Sequence, residues 1–246
     1  MFDKLYRGEP TFEGLPAPAG IPWDIKQAQP RLMELEALGG FSGEVLDIGC
    51  GLGENSIFLA SRGYSVTGLD GSEAAIEQAR ARAAQAGVQV TFAVADATKL
   101  TGYDGRFDTV VDSALYHCLD DDGRRAYATG LHRATRPGAR LHIYCFSEAN
   151  VNGVIAPRPV PEDNIRDTLT GSGWRIDYLG PTTYLANPSP MSGDPNDLPE
   201  QVREQMPPEQ IEHMQEMGRR FAVITPLLDG ERVNLPMTVV HATRAD

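Results

Sequence analysis

From residue 44 onward the chain alternates short apolar runs with longer helix-forming stretches, and this alternation restricts its fold more than any other feature. Glu44-Val45-Leu46-Asp47-Ile48 reads as a short buried strand, and residues 54–61 as a helix that Gly63 ends. Residues 64–69 read as a strand carrying β-branched Val66 and Thr67. Residues 72–86 are rich in Ala, Glu, Gln and Arg, open on Ser72 as N-cap and stop at Gly87, so a helix is predicted there. Further strands are predicted at 88–94, 107–111, 139–146 and 174–179, and further helices at 121–135 and 162–170. Such alternation implies an α/β fold, a parallel sheet with helices on both faces. Ligands of such sheets bind outside the carboxyl ends of the strands, so the residues just after each strand are the first candidates for a site.

Two segments break the pattern. Residues 1–22 hold Gly8, Pro10, Gly14, Pro16, Pro18, Gly20 and Pro22, a density expected to break any helix or strand. Phe2, Phe12, Leu15, Ile21 and Trp23 give this segment apolar surface to bury, which favours an ordered N-terminal arm over a free tail. A helix with Leu32, Leu35 and Leu38 on one side is expected from Asp24 to the stop at Gly39-Gly40. Residues 181–230 are proline-rich and carry two helical stretches, 198–206 and 208–221, the second placing Ile211, Met214 and Met217 three residues apart. The insertion is either a packing elaboration or a substrate lid, since Met-rich helices adapt to varied apolar ligands. The expected organisation is one domain: arm and helix (1–40), core (41–180), insertion (181–230) and a last strand at 233–241 within 231–246.

The 246 residues include 22 Lys+Arg against 34 Asp+Glu, a net charge of −12. A nucleic-acid-binding surface needs a basic face, so a small-molecule partner is expected instead. Cys50, Cys118 and Cys145 are an odd, widely spaced set with no CxxC, which is neither a disulfide framework nor a zinc site. No apolar run approaches a membrane span, and MFDKLYRGEP is not a signal peptide. A cytoplasmic protein, monomer or homodimer, without metal is the expectation.

The loop after the first strand is Asp47-Ile48-Gly49-Cys50-Gly51-Leu52-Gly53-Glu54. Glu54 occupies the position where a dinucleotide fingerprint carries Gly or Ala, and a carboxylate at a helix N-terminus is unsuited to a pyrophosphate. Asp47 and Glu54 flanking the glycines favour a ligand without phosphate and with positive charge. The loop resembles motif I of the class I S-adenosylmethionine-dependent methyltransferases. Asp70, Asp96-Ala97 and Phe107-Asp108-Thr109-Val110-Val111-Asp112-Ser113 fall where that family places its later motifs, each at a strand end. The resemblance implies a Rossmann-like, seven-stranded, mostly parallel sheet. It implies S-adenosyl-L-methionine as cofactor and S-adenosyl-L-homocysteine as product, with Asp70 on the ribose diol and Asp96 on the adenine amino group. Cofactor contacts are expected at Asp47, Gly49, Cys50, Gly51, Gly53, Asp70, Gly71, Asp96, Ala97, Asp112 and Ser113. Tyr6-Arg7-Gly8-Glu9, Pro22-Trp23-Asp24, Gln29-Pro30 and Asp112-Ser113-Ala114-Leu115-Tyr116-His117 together resemble the mycobacterial heterocyclic toxin methyltransferase and thiopurine methyltransferase-like group. That similarity is close over residues 6–146, loose to about 180, and does not cover the insertion. It implies that Trp23 packs near the cofactor, a plain core position being the alternative.

Methyl transfer is an in-line displacement, so alignment supplies much of the rate, and a base is needed only for a nucleophile that holds its proton tightly. His117 is the candidate base by its ordinary pKa, with a core or capping role as the alternative. Tyr116 is the second candidate catalytic residue or a pocket wall. His132 and His142 read as structural, and His213 reaches the site only if the insertion closes over it. Phe12, Phe146 and Met191 are weaker pocket candidates. No Asn-Pro-Pro-Tyr or Asp-Pro-Pro-Tyr follows the fourth strand and no Pro-Cys pair occurs, which sets aside nucleobase and glutamine methylation. No Tyr-x-x-x-Lys supports a nicotinamide oxidoreductase. The expected activity is methyl transfer to O, N or S of a small aromatic or heterocyclic molecule. A binding module of the same fold without turnover is the alternative.

Overall fold

The computed structural model describes residues 2–10, 17, 20–149, 156, 158–187, 200–227 and 232–245. Seven strands form one sheet: β1 (Glu44–Ile48), β2 (Ser65–Asp70), β3 (Thr91–Val94), β4 (Phe107–Ser113), β5 (Thr135–Phe146), β6 (Trp174–Ala186) and β7 (Val233–Arg244). Their spatial order is β3-β2-β1-β4-β5-β7-β6. All pairings are parallel except those of β7, which runs antiparallel between β5 and β6. The helices are α1 (Phe2–Tyr6), α2 (Pro30–Ala37), α3 (Glu54–Ser61), α4 (Glu73–Ala86), α5 (Asp121–Ala134), α6 (Glu162–Gly171), α7 (Glu200–Gln205) and α8 (Pro208–Ile224).

Period-two alternation sends Val45 and Val111 to the face covered by Leu32 of α2 and Leu59 of α3. Leu46, Ile48 and Val110 point to the opposite face, against Tyr127 and Leu131 of α5 and Ile165 and Leu169 of α6. The same alternation aims two acids. Asp47 follows Val45 and turns toward α3, whereas Asp112 follows Val110 and turns toward α5. The expected caps are present: the Ser72 hydroxyl accepts from the Ala75 N–H (3.2 Å), and Gly87 ends α4 in the left-handed region.

Four expectations change. The helix expected from Asp24 begins only at Pro30, because Gln29 is extended (φ −62°, ψ 130°), as the residue before a proline prefers. Leu38, expected on the apolar side, is exposed. The arm, expected without regular structure, starts with the short helix α1. The strand expected to stop at 179 continues to Ala186, straight through Pro181. β6 is the sheet edge, so a residue without an N–H is tolerated there. The insertion therefore leaves the sheet after 186 rather than at 181. Pro236 of β7 lies beyond the end of β5, whose last pairing is Phe146 with Met237, and breaks no ladder on that side.

His142 of β5 and His241 of β7 face each other across the ladder. His142 Nε2–H donates to the Gly40 carbonyl (2.9 Å), so its Nδ1 accepts from His241 Nδ1–H (2.8 Å). Burial lowers the His142 pKa from 6.5 to about 4. An unfolded histidine takes up a proton as pH falls through 6.5, while the folded one refuses it until about 4, so this residue's contribution to stability declines across that window. Asp47 and Asp112, whose pKa values are raised, act in the opposite sense. A variant comparison isolates the histidine. The stability difference between wild type and His142→Gln should change in the variant's favour by about 3 kcal/mol from pH 7 to pH 4. Urea unfolding at several pH values measures this, and parallel curves for the two proteins would refute the assignment.

Candidate active site

The carboxyl ends of β1, β2 and β4 converge with the arm. Gly49 has φ +75°, and a Cβ there would lie 2.8 Å from the Leu115 Cβ, so the turn after β4 closes directly on the loop. Gly51 has φ +52°, and a Cβ there would lie 2.9 Å from the Tyr6 hydroxyl. Both positions exclude side chains by backbone conformation and by space. Gly53 caps the N-terminus of α3, and a Cβ on Gly71 would lie 3.9 Å from the Ala95 carbonyl, an ordinary contact.

Asp70 ends β2 half-buried. Its Oδ2 accepts from the Gly51 N–H (2.9 Å) and its Oδ1 from the Ser72 N–H (2.8 Å), which fixes the carboxylate beside the loop. Burial raises its pKa above the ordinary value despite these bonds. Each oxygen keeps acceptor capacity, which suits a diol. Asp47 is fully buried. Its Oδ2 accepts from the Ser56 hydroxyl (2.6 Å), and its Oδ1 has no partner among the described residues. Burial pushes its pKa up to about 6. An unfilled buried acceptor and two acids at one loop favour a ligand that brings positive charge and hydrogen-bond donors, as the ammonium, sulfonium and diol of S-adenosylmethionine do. The Cys50 thiol is driven up by burial and then by these acids, and stays protonated.

Asp96, exposed after β3, accepts from the Thr98 N–H (3.0 Å) and hydroxyl (2.6 Å) and pairs with Lys99 (2.8 Å). These bonds hold its pKa down at about 2. Ala97 is half-buried beside it.

The turn after β4 differs from expectation in three residues. Asp112 is fully buried, and its carboxylate is occupied by its own chain. Oδ1 accepts from the Leu115 N–H (2.8 Å) and Tyr116 N–H (3.3 Å), and Oδ2 from the Tyr127 hydroxyl (2.7 Å). Its side chain shapes the turn from beneath, which leaves the backbone as the route for the expected cofactor contact. Tyr116 is fully buried, 6.1 Å from the Tyr127 ring and below the Arg124 guanidinium, so it is a core residue and not a pocket wall. His117 stacks on Phe146 (3.9 Å between centroids), and its Nδ1 accepts from the Phe146 N–H (3.3 Å). Burial and then Arg124 lower its pKa to about 3. The ring is therefore neutral with its proton on Nε2. It is a hydrogen-bond donor, and the base expected from its ordinary pKa is not supported. Ser113 ends β4 half-buried, and Ala114 follows with φ +83°, a conformation that non-glycine residues adopt at a cost of order 1–3 kcal/mol.

Glu54, expected to favour a cationic ligand, is instead neutralised by Arg82. Arg82 also binds both carboxylate oxygens of Asp24 (2.9 and 3.0 Å), so this network ties the arm to the loop. Gln29 adds a second tie. Its amide donates to the Leu185 carbonyl and accepts from the Leu185 N–H (both 3.0 Å), across 156 residues of sequence. Trp23 donates from Nε1 to the Tyr6 hydroxyl (3.2 Å). Its ring packs both with Tyr6, Leu52 and Ala74 beside the glycine loop and with the cluster of Tyr184, Met217, Phe221 and Met237 under α8. Phe146 and Ala114 join the same cluster. Phe12 and Met191 lie outside the described residues. His213 is half-buried on α8, and His132 lies edge-on to Trp174 in the core region. Arg82 and Phe221 carry no sequence motif, so only their spatial convergence marks them, whereas Tyr6 lies in the Tyr6-Arg7-Gly8-Glu9 stretch and Met217 in the three-residue spacing of 208–221. No cluster of His, Cys, Asp or Glu suited to a metal occurs among the described residues.

Comparison with known proteins agrees with this geometry. A family profile described as a methyltransferase domain matches residues 45–138. The 2-heptyl-1-hydroxyquinolin-4(1H)-one methyltransferase of Mycobacteroides abscessus is 39% identical over 189 residues, covering 76% of this chain and 82% of that protein. A solved protein from work on the conversion of a disulfide bond into a thioacetal group during echinomycin biosynthesis superposes with a TM-score of 0.72 and 33% identity. The match covers 99% of this chain and 91% of that one. The magnesium protoporphyrin IX methyltransferase of Synechocystis with bound S-adenosylmethionine shares the fold (TM-score 0.55, 20% identity, 87% of this chain and 76% of that one). With the glycine loop, Asp70 and the strand order in place, the chain belongs to the S-adenosylmethionine-dependent methyltransferases.

Proposed function

We propose that this enzyme methylates a heteroatom of a small aromatic heterocycle of the hydroxyquinolone type. The observation that carries this reading is Trp23, whose ring belongs at once to the glycine-loop cluster and to the apolar cluster beneath α8. An apolar ring held under Met217, Phe221 and Phe146 would thus adjoin the cofactor loop across a single side chain. The relative from Mycobacteroides abscessus supports the substrate class by its name.

The cofactor supplies an electrophilic methyl group on a sulfonium. Asp70 and the glycine loop would hold it in place, with Asp96 and Ala97 toward the adenine end. The walls under α8 exclude water and align the acceptor. Around the acceptor side, Asp112 is saturated by its own chain, burial raises the Cys118 thiol to about 11, and His117 offers only Nε2–H. His117 orients the acceptor as a donor. Acceptors that are acidic, or that carry no proton, fit these surroundings better than aliphatic alcohols.

Incubation with S-adenosylmethionine and 2-heptyl-1-hydroxyquinolin-4(1H)-one should yield a product with one added methyl, read by mass spectrometry. Absence of product from this and related hydroxylated heterocycles, with cofactor binding intact, would sink the reading. A second reading, a sulfur acceptor, is favoured by the full-length match to the protein from the echinomycin work. Preference for thiols over hydroxyquinolones in the same assay would select it. The net charge of −12 supports a small-molecule substrate over nucleic acid, and no described helix is long and apolar enough to cross a membrane. Action in the cytoplasm as a monomer or homodimer completes the proposal, with size-exclusion chromatography testing the assembly.

A further inference from the structure

We propose that the Tyr6 hydroxyl of the N-terminal arm is a cofactor contact that donates its proton to the carboxylate of the amino-acid moiety. Three observations place it there. The hydroxyl lies against Gly51, at the spot where a side chain on the loop would collide with it. It accepts the Trp23 Nε1–H and donates to no described residue, so its own proton remains available. An accepted bond of this kind polarises the hydroxyl and strengthens it as a donor. Burial drives its pKa well above the ordinary tyrosine value, so it stays protonated.

Charge indicates which part of the ligand it serves. The acids at the loop, Asp47 and Asp70, suit the ammonium and the diol but repel the carboxylate. Three basic side chains of the arm and its docking surface are engaged, Arg7 with Asp3, Lys26 with Asp24, and Arg82 with Asp24 and Glu54, while Lys4 of α1 is exposed and pairs with no acid among the described residues. With Arg7, Lys26 and Arg82 already paired, the neutral Tyr6 O–H is the side-chain donor that stands directly against Gly51 for the carboxylate. The arm is seated independently of that hydroxyl. Asp3 accepts from the Ser72 hydroxyl (2.7 Å) and the Ala74 N–H (3.1 Å) at the start of α4, and the Gln78 amide donates to the Tyr6 carbonyl (2.7 Å).

Calorimetric titration of the full-length protein separates the possibilities, with S-adenosylhomocysteine and its decarboxylated analogue, which keeps the amine, as probes. Tyr6→Phe should weaken S-adenosylhomocysteine about tenfold and the analogue by less than about twofold, as expected for loss of one hydrogen bond to a charged group. Asp3→Ala loosens α1 without touching the hydroxyl and should weaken both ligands alike. That equal loss, if seen for Tyr6→Phe, would overturn the proposal, and so would unchanged affinity for S-adenosylhomocysteine. Trp23 fluorescence reports whether the arm remains docked in each variant.

Discussion

Asp70→Ala will weaken S-adenosylhomocysteine binding on the order of a hundredfold, roughly 2–4 kcal/mol, measured by isothermal titration. Two losses combine in this variant. On the proposed cofactor placement the diol would lose its carboxylate acceptor, and the N–H groups of Gly51 and Ser72 lose the oxygens that hold the loop at 2.9 and 2.8 Å. Because Gly51 sits in the left-handed region with little local restraint of its own, the loop loosens as well. Asp70→Asn keeps one acceptor oxygen but turns an amide toward one of those donors, so an intermediate loss is expected. Asp96→Ala at the exposed rim should cost less than about tenfold, since a solvent-screened contact contributes less. An Asp70→Ala protein that binds within about threefold of wild type would remove Asp70 from the cofactor site.

The second large effect belongs to α8. Phe221 of α8 is fully buried, and truncating a side chain of that size in a packed cluster costs about 3–5 kcal/mol. Where this energy is lost depends on what α8 does. The cluster holding Phe221 and Met217 is separate from the two clusters that cement the sheet to its helices. Phe221→Ala should therefore loosen α8 locally, leaving S-adenosylhomocysteine affinity near wild type and raising KM for the heterocycle at least about tenfold. Limited proteolysis within α8 and steady-state kinetics read the two halves of this expectation. If the variant instead lost global stability with an unchanged KM, α8 would be packing material and not a lid.

The fold was legible in the sequence wherever structure follows from local periodicity. The caps at Ser72 and Gly87, the four strand ends bearing acids and the helices at α3, α4 and α5 follow from spacing and composition alone. Errors arose where tertiary placement overrides a local signal. Pro181 looked like a strand terminator and is harmless, because β6 is an edge. Asp24 looked like a helix start, yet it is committed to Arg82, and Pro30 sets the true beginning.

The site divides in the same way. Sequence alone determined that Asp47, Asp70, Asp96 and Asp112 stand at strand ends around a glycine loop, since strand length and alternation are properties of neighbouring residues. Tertiary structure decided which of those acids remain available. Asp112 is satisfied by Tyr127 from α5, Glu54 by Arg82 from α4, and His117 loses its basicity to burial and Arg124. Only the tertiary structure joined Tyr6 and Phe221 through Trp23, whose ring packs against both of their clusters. The physical reason is that charge, burial and hydrogen bonding depend on partners distant in sequence, such as Leu185, which bonds to Gln29 from 156 positions away. A motif specifies a residue's type and strand position, whereas its chemistry depends on what packs against it.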